Sequence, residues 1–340
     1  MSEGLLATVY APPRARAPWR LEQFLPGFEI RYFSFGRRAL AAGLKAVLGS
    51  SPRTVLLPEL ICGDLLCALA AAGASPVFYR VGPDLRPAEG PERWPSAGAV
   101  LAVDYFGFPQ DLSLFQAYAA RTGAVLIEDN AHGLFSRDES GAFLGSRADL
   151  GLFSLRKTLP IPDGGALVFR KDDERLRALP QDAFRGPGGL RAALKSALRP
   201  LALPLGARRF HGMLSALRGA RVPGAGSESA LPSPEAPCGL LASPIAAADP
   251  ETEVSRRRAL YLLLESRLRL EGFEPVFASL PANTAPYAFP FRVKEADQER
   301  ARRALAAQGL EPLPWPDLPC ALAARAPAHH RDIRLAHFLW

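Results

Sequence analysis

The segment Ala124-Val125-Leu126-Ile127-Glu128-Asp129-Asn130-Ala131-His132 decides the fold class. An uninterrupted apolar run that closes on carboxylates is how a strand reads when a parallel sheet buries both of its faces. Similar runs lie upstream at Thr54–Pro58, Pro76–Val81 and Ala99–Asp104. Between them, Arg38–Leu48 puts Leu40, Leu44, Val47 and Leu48 on one helical face, and Asp64–Ala72 and Leu112–Arg121 are helical too. This alternation predicts an α/β fold over the first 170 residues, with a mostly parallel sheet flanked by helices. Sites in such sheets lie at the carboxyl ends of the strands, where Asp104 and Asp129 both stand.

Further along, the pattern changes. From Arg185 to Pro237 the chain turns to Gly, Pro, Ala and Arg, and Val222–Pro237 is the best linker. A long helix over Glu251–Leu270, a strand at Tyr287–Val293, a helix at Glu295–Gln308 and an extended piece from Leu310 predict a small α+β domain. The expected organisation is a large domain over residues 1–237, including the basic segment and linker at 185–237, and a small C-terminal domain over 238–340.

With 340 residues, 48% hydrophobic and 22% charged, the composition is globular and excludes a disordered tail or a small disulfide scaffold. Cys62, Cys67, Cys238 and Cys320 have no zinc-ligand spacing, so reduced thiols and no metal site are expected. The run Leu5–Tyr10 ends at Pro12-Pro13 with no basic residue before it, and no stretch is long and apolar enough to span a bilayer. A cytoplasmic protein is the expectation.

Net charge is 41 − 34 = +7, and its position says more than its size. Between Asp182 and Glu228 there is no acid but eight bases, with Phe210 as the one aromatic from Arg185 to Arg221. A nucleic-acid enzyme spreads its basic surface wider and adds stacking aromatics, so no nucleic acid partner is expected. If helical, Arg191, Lys195 and Arg199 form a stripe beside Leu190, Leu194 and Leu198, which reads as a solvated face. An anionic substrate or an anionic membrane surface is the other use of such a stripe, and membrane contact is not expected.

Lysine is scarce, five residues against 36 arginines, so a lysine where arginine would not serve stands out. In Asp149-Leu150-Gly151-Leu152-Phe153-Ser154-Leu155-Arg156-Lys157 a strand ends in a hydroxyl residue, with Lys157 three positions later. A Schiff-base lysine must lose its proton and reach an aldehyde, which a guanidinium cannot do. Taken alone, the segment also fits a surface lysine on a turn. Upstream, Asp129 at a strand end among apolar residues needs a cationic partner, and the pyridinium of pyridoxal phosphate is one. Taken alone, Asp129 and His132 also fit a helix N-cap with a core histidine. A third element, Phe33-Ser34-Phe35-Gly36-Arg37-Arg38-Ala39-Leu40, opens a helix on glycine, which lets the amides of Gly36 and Arg37 approach an anion. No GxGxxG or GxxxxGK[ST] is present.

These segments resemble the DegT/DnrJ/EryC1/StrS family of fold-type-I pyridoxal-phosphate enzymes, mostly sugar aminotransferases. The likeness runs from about Ser34 to Phe169. It is strongest at Val103-Asp104-Tyr105-Phe106-Gly107-Phe108-Pro109, Ile127–Gly133 and Gly145–Val168, and resumes at Glu311–Pro319. The resemblance implies Lys157 as the Schiff-base lysine and Asp129 as partner of the pyridine nitrogen. It implies Ser154, Gly36 and Arg37 at the phosphate, and His132 in place of a ring-contacting glutamine or histidine. It further implies a homodimer and an amino group moved from an amino acid, glutamate by analogy, to a keto group on a nucleotide-linked sugar. The sequence departs from the family at three places. Ile61 and Cys62 stand where many members stack an aromatic, Ser154 and Lys157 are three rather than five apart, and the Asn-Tyr-Arg type motif is missing around Cys238–Ser243. The three-residue spacing also occurs in other fold-type-I aminotransferases, but the missing aromatic and the absent motif favour a rival, a non-catalytic family member that serves as a binding or scaffold subunit. Retention of Asp129, Ser154 and Lys157 together favours the enzyme.

Overall fold

The computed structural model describes residues 15–49, 53–185, 228, 230–246, 248–306, 308 and 310–338. The stripe of Arg191, Lys195 and Arg199 lies outside them.

Seven strands form one sheet: β1 Phe28–Phe33, β2 Thr54–Pro58, β3 Ser75–Tyr79, β4 Ala99–Val103, β5 Val125–Asn130, β6 Leu150–Ser154 and β7 Gly165–Arg170. Their order is β1-β7-β6-β5-β4-β2-β3. The strands from β3 through β6 pair in parallel, and β7 runs antiparallel to both β6 and β1. β4 is buried at every residue, as its unbroken Ala-Val-Leu-Ala-Val demands of a central strand. The sheet is the mostly parallel one that the sequence predicts, with β1 and β7 added at one edge.

Helices α1 Gly36–Val47, α2 Leu66–Ala72 and α3 Ser113–Thr122 connect the strands. Gly73 and Gly123 end α2 and α3 in the left-handed region, at φ 67° and 72°, where glycine avoids the Cβ clash. α1 buries Ala39, Leu40, Ala41 and Leu44 against the sheet and begins two residues earlier than its apolar pattern suggests. Its N-terminus packs so close to the start of β7 that Gly165 leaves no room there for a β-carbon.

The C-terminal part carries a long helix, α4 Pro250–Leu270, with Pro250 in its first turn and the Asp249 side chain accepting the Thr252 N–H. A shorter helix, α5 Gln298–Ala306, and a three-stranded antiparallel sheet complete it. That sheet has the order β8-β10-β9, from β8 Ala288–Arg292, β9 Leu313–Pro314 and β10 Ile333–His337. α4 contains a buried charge cluster. Glu253 Oε1 lies 2.6 Å from Arg256 Nη2 and 2.6 Å from Arg257 Nε, and Arg257 Nη1 donates to the Pro286 carbonyl. No helix among the described residues is long and apolar enough to cross a membrane.

Candidate active site

The carboxyl ends of β5 and β6 and the N-terminus of α1 converge on one cavity of about 160 Å³. Parallel pairing sets Asp129 opposite Leu152 and Asn130 opposite Phe153, which brings the ends of the two strands level. Asp129, His132, Ser154, Lys157, Gly36 and Arg37, the six residues singled out in the sequence, all line this cavity. A groove of about 690 Å³ shares only Val103 with it and holds none of the six.

Asp129 is 6% exposed, and its Oδ1 accepts a hydrogen bond from the Ala131 N–H at 3.0 Å. Burial raises its pKa, and the charge of Lys157 works against that rise. Lys157 closes a 3₁₀ turn, Leu155–Lys157, that carries its amine back over the cavity. Burial lowers the Lys157 pKa below that of an ordinary amine, while Asp129 pulls it upward. Its Nζ stands 3.0 Å from His132 Nε2.

His132 is 5% exposed, and burial keeps it neutral by lowering its pKa well below the usual value. Its ring lies nearly parallel to that of Tyr287, 4.4 Å between centroids at 15°, and to that of Phe106, 5.8 Å at 4°. Trp315 meets Phe106 edge-on at 4.6 Å and His132 at 5.7 Å, and lines the same cavity. The segment bearing Trp315 is tied to the start of α2 by the Gly63 N–H, which donates to the Asp317 carbonyl at 2.7 Å.

At the other end of the cavity, the hydrogen bonding of α1 begins with the Arg38 and Ala39 N–H groups donating to the Phe35 carbonyl. The N–H groups of Gly36 and Arg37 precede that ladder, so they and the helix dipole are available to an anion. Arg37 Nη1 holds Asp64 at 2.7 Å, and Arg156 lies over the Phe35 ring at 5.5 Å, so two guanidinium groups flank the helix start.

This donor set fits pyridoxal phosphate. Asp129 offers a buried carboxylate for a pyridinium, α1 and Ser154 offer an anion cradle, and Lys157 offers an amine inclined to lose its proton. Residues 36–195 match the model of the DegT/DnrJ/EryC1/StrS aminotransferase family. Over those residues the chain is similar to that family.

Solved structures agree on the fold. The aminotransferase TlmJ from Streptoalloteichus hindustanus is 20% identical, with 99% of this chain and 84% of that one covered and a TM-score of 0.60. The sugar aminotransferase CalS13 from Micromonospora echinospora is 16% identical, with 91% and 82% covered and a TM-score of 0.60. NtdA from Bacillus subtilis, solved with bound cofactor PMP, is 17% identical, with 95% and 73% covered and a TM-score of 0.57. The architecture is therefore that of fold-type-I pyridoxal-phosphate enzymes, and the cofactor of the DegT/DnrJ/EryC1/StrS aminotransferases is pyridoxal phosphate.

Asp104, the other strand-end carboxylate, lies outside the cavity. It sits fully buried beside Glu128, and Arg147 bridges the pair, with Nη2 2.9 Å from Asp104 Oδ1 and 2.6 Å from Glu128 Oε1. A carboxylate at a strand end is equally served by a buried arginine, and here that arginine comes from 43 residues away. Sequence reasoning missed Arg156, Tyr287 and Trp315. Arg156 adjoins Lys157 and Trp315 lies within the quoted stretch Glu311–Pro319, but neither residue type announces a place at the cavity.

Proposed function

We propose that the chain is a pyridoxal-phosphate-dependent aminotransferase that moves an amino group from an amino acid, with glutamate as donor, to a keto group on a nucleotide-linked sugar. One observation carries the reading: Asp129, His132, Ser154 and Lys157 share a single cavity with the N-terminus of α1. Sugar aminotransferases among its structural relatives support the acceptor class. The two-part organisation, 1–237 and 238–340, a homodimer and a cytoplasmic location go with it.

The Lys157 amine would hold the cofactor covalently, and Asp129 would keep a proton on its ring nitrogen. Ser154 and the first-turn amides of Gly36 and Arg37 would hold its phosphate, with Arg37 and Arg156 adding positive charge. Bound there, pyridoxal phosphate supplies an electron sink for the carbon that bears the transferred amino group. With its amine free, Lys157 would take the proton from the donor α-carbon and hold it for return to the carbon on the far side of the transferred nitrogen. A lowered amine pKa suits both tasks. Ile61, Trp315 and Leu152 wall the cavity with apolar surface that excludes water from the exchange.

The test is the visible spectrum of the protein with pyridoxal phosphate, beside Lys157→Ala. A yellow band present only in the wild type, and bleached when glutamate is added, supports the transaminase. A band that glutamate leaves unchanged rejects glutamate as donor. No band at all returns the non-catalytic scaffold to first place.

A further inference from the structure

The hydrogen bonds around His132 define the proton on Lys157. His132 Nδ1 lies 3.3 Å from the backbone nitrogen of Phe106, and a peptide N–H only donates. Nδ1 is therefore the acceptor and carries no hydrogen, so the one proton of the neutral ring is on Nε2. Nε2 is in turn 3.0 Å from Lys157 Nζ. An Nε2–H has no lone pair for an ammonium group, so the lysine must accept, and an amine accepts only when it is neutral. An imidazolium would set two donors, Nδ1–H and the Phe106 N–H, against each other.

We propose that His132, locked by the Phe106 peptide as its Nε2–H tautomer, is a positioning residue that holds Lys157 as a neutral amine with its lone pair oriented before any cofactor arrives. The inference deepens the reading of Lys157 given above and rests on it for its purpose, since an amine that attacks an aldehyde must carry its lone pair rather than a third proton.

The backbone at Phe106 is where this lock is built. Phe106 has φ 57° and ψ 18°, a left-handed conformation that side chains with a β-carbon seldom adopt. In that conformation its N–H meets His132 while its carbonyl accepts the Tyr287 N–H at 2.8 Å. A bulky residue held in this region signals that the surrounding structure enforces it, and such residues gather at functional sites.

The surroundings favour the same protonation states. Around Lys157, burial opposes the charge most, Asp129 of β5 and Cys62 favour it, and Arg156 and Arg37 oppose it. Around His132, burial, Lys157 and His337 of β10 all oppose the imidazolium. A hydrogen bond donated to the neutral amine adds to these effects.

Competitive acetylation of the cofactor-free protein with acetic anhydride, followed across pH by mass spectrometry, tests the proposal. In each event the amine nitrogen bonds a carbonyl carbon, acetate leaves with the electrons of the broken C–O bond, and the amine proton passes to buffer. Lys45, Lys171 and Lys294 are exposed and serve as internal references. Lys157 is expected to titrate below all three. His132→Phe keeps a ring but removes the donor, and is expected to raise the Lys157 midpoint by about one unit, close to a tenfold loss of reactivity at neutral pH. A lower midpoint in that variant would mean that Lys157 is an ammonium donating to His132, and would overturn the proposal. Nitrogen-15 spectra of histidine-labelled wild type give a second readout that does not depend on the variant folding. A proton on Nε2 alone is expected, and a proton on Nδ1 would also overturn the lock. Because both readouts precede cofactor binding, a low Lys157 midpoint in a protein that binds no pyridoxal phosphate would uphold this inference and reject only the transaminase.

Discussion

A β-carbon on Gly165 would fall inside the van der Waals shell of the Gly36 nitrogen and the Phe35 carbonyl, so the first residue of β7 can meet the head of α1 only as a glycine. The contact fixes where the N–H groups at the head of α1 point, and it seats them beside Ser154, whose register partner is Gly165. An anion held by backbone amides depends on such placement more than on any side chain.

Gly165→Ala is therefore expected to push the head of α1 away from the cavity. The dissociation constant for pyridoxal phosphate should rise at least tenfold, the equivalent of about 1.4 kcal/mol. Inorganic phosphate should compete less well with the cofactor in the variant than in the wild type. Titration by absorbance measures both, and an unchanged cofactor affinity would show that the amides of α1 do not hold the phosphate.

Arg147 offsets two carboxylates that have no contact with water, so Arg147→Met should cost about 3–5 kcal/mol at neutral pH. The loss should depend on pH with a definite sign. Burial first, then Glu128, raises the Asp104 pKa above its unfolded value near 3.9, while Arg147 lowers it. Between the unfolded and folded values the native state holds a proton that the unfolded chain releases, so stability falls as pH rises. Removing Arg147 raises the folded value further and extends that window upward. Urea denaturation at pH 5 and pH 7 should find the variant closer to wild type at pH 5.

In α4, Glu253 joins Arg256 and Arg257 in a buried cluster. Glu253→Ala should destabilise the protein by about 3–5 kcal/mol, because it removes a buried carboxylate that both arginines contact. Thermal melting of the variant measures the loss. A loss below about 1 kcal/mol would place the cluster among surface ion pairs in its effect.

Trp315 takes up aromatic space at the cavity that Ile61 and Cys62 do not supply. Among the described residues the other tryptophans, Trp19 and Trp94, are buried in other clusters, at 4% and 6% exposure, so of these three cofactor binding should quench emission chiefly through Trp315. Trp315→Phe should lose most of the quench and keep its affinity. Trp315→Ala should weaken binding roughly two- to twelvefold, the equivalent of about 0.5–1.5 kcal/mol for an aromatic contact. Quenching that persists in both variants would remove Trp315 from the cofactor's neighbourhood.

The central strands were legible because burial on both faces leaves an unbroken apolar run, as in β4 and β5. The edge was not. β1 reads Phe-Glu-Ile-Arg-Tyr-Phe, with charged residues alternating because it pairs with β7 alone, and nothing in β7's composition tells its direction. In the site, Asp129, His132, Ser154 and Lys157 were legible because they lie at the ends of two strands adjacent in both sequence and sheet. Trp315 reaches the cavity, and Tyr287 the ring of His132, from the far end of the chain and only through tertiary packing. The left-handed backbone of Phe106 had no local signal, since no turn residue stands there. Asp104 had the same signal as Asp129, and only Arg147, distant in sequence, separates their roles.

Reduction of the protein with borohydride in the presence of pyridoxal phosphate, followed by peptide mass mapping, tests the central claim most directly. The chain has five lysines, and the account predicts the phosphopyridoxyl mass on Lys157 and on no other. Label scattered over Lys45, Lys171, Lys195 and Lys294, or none at all, would contradict it.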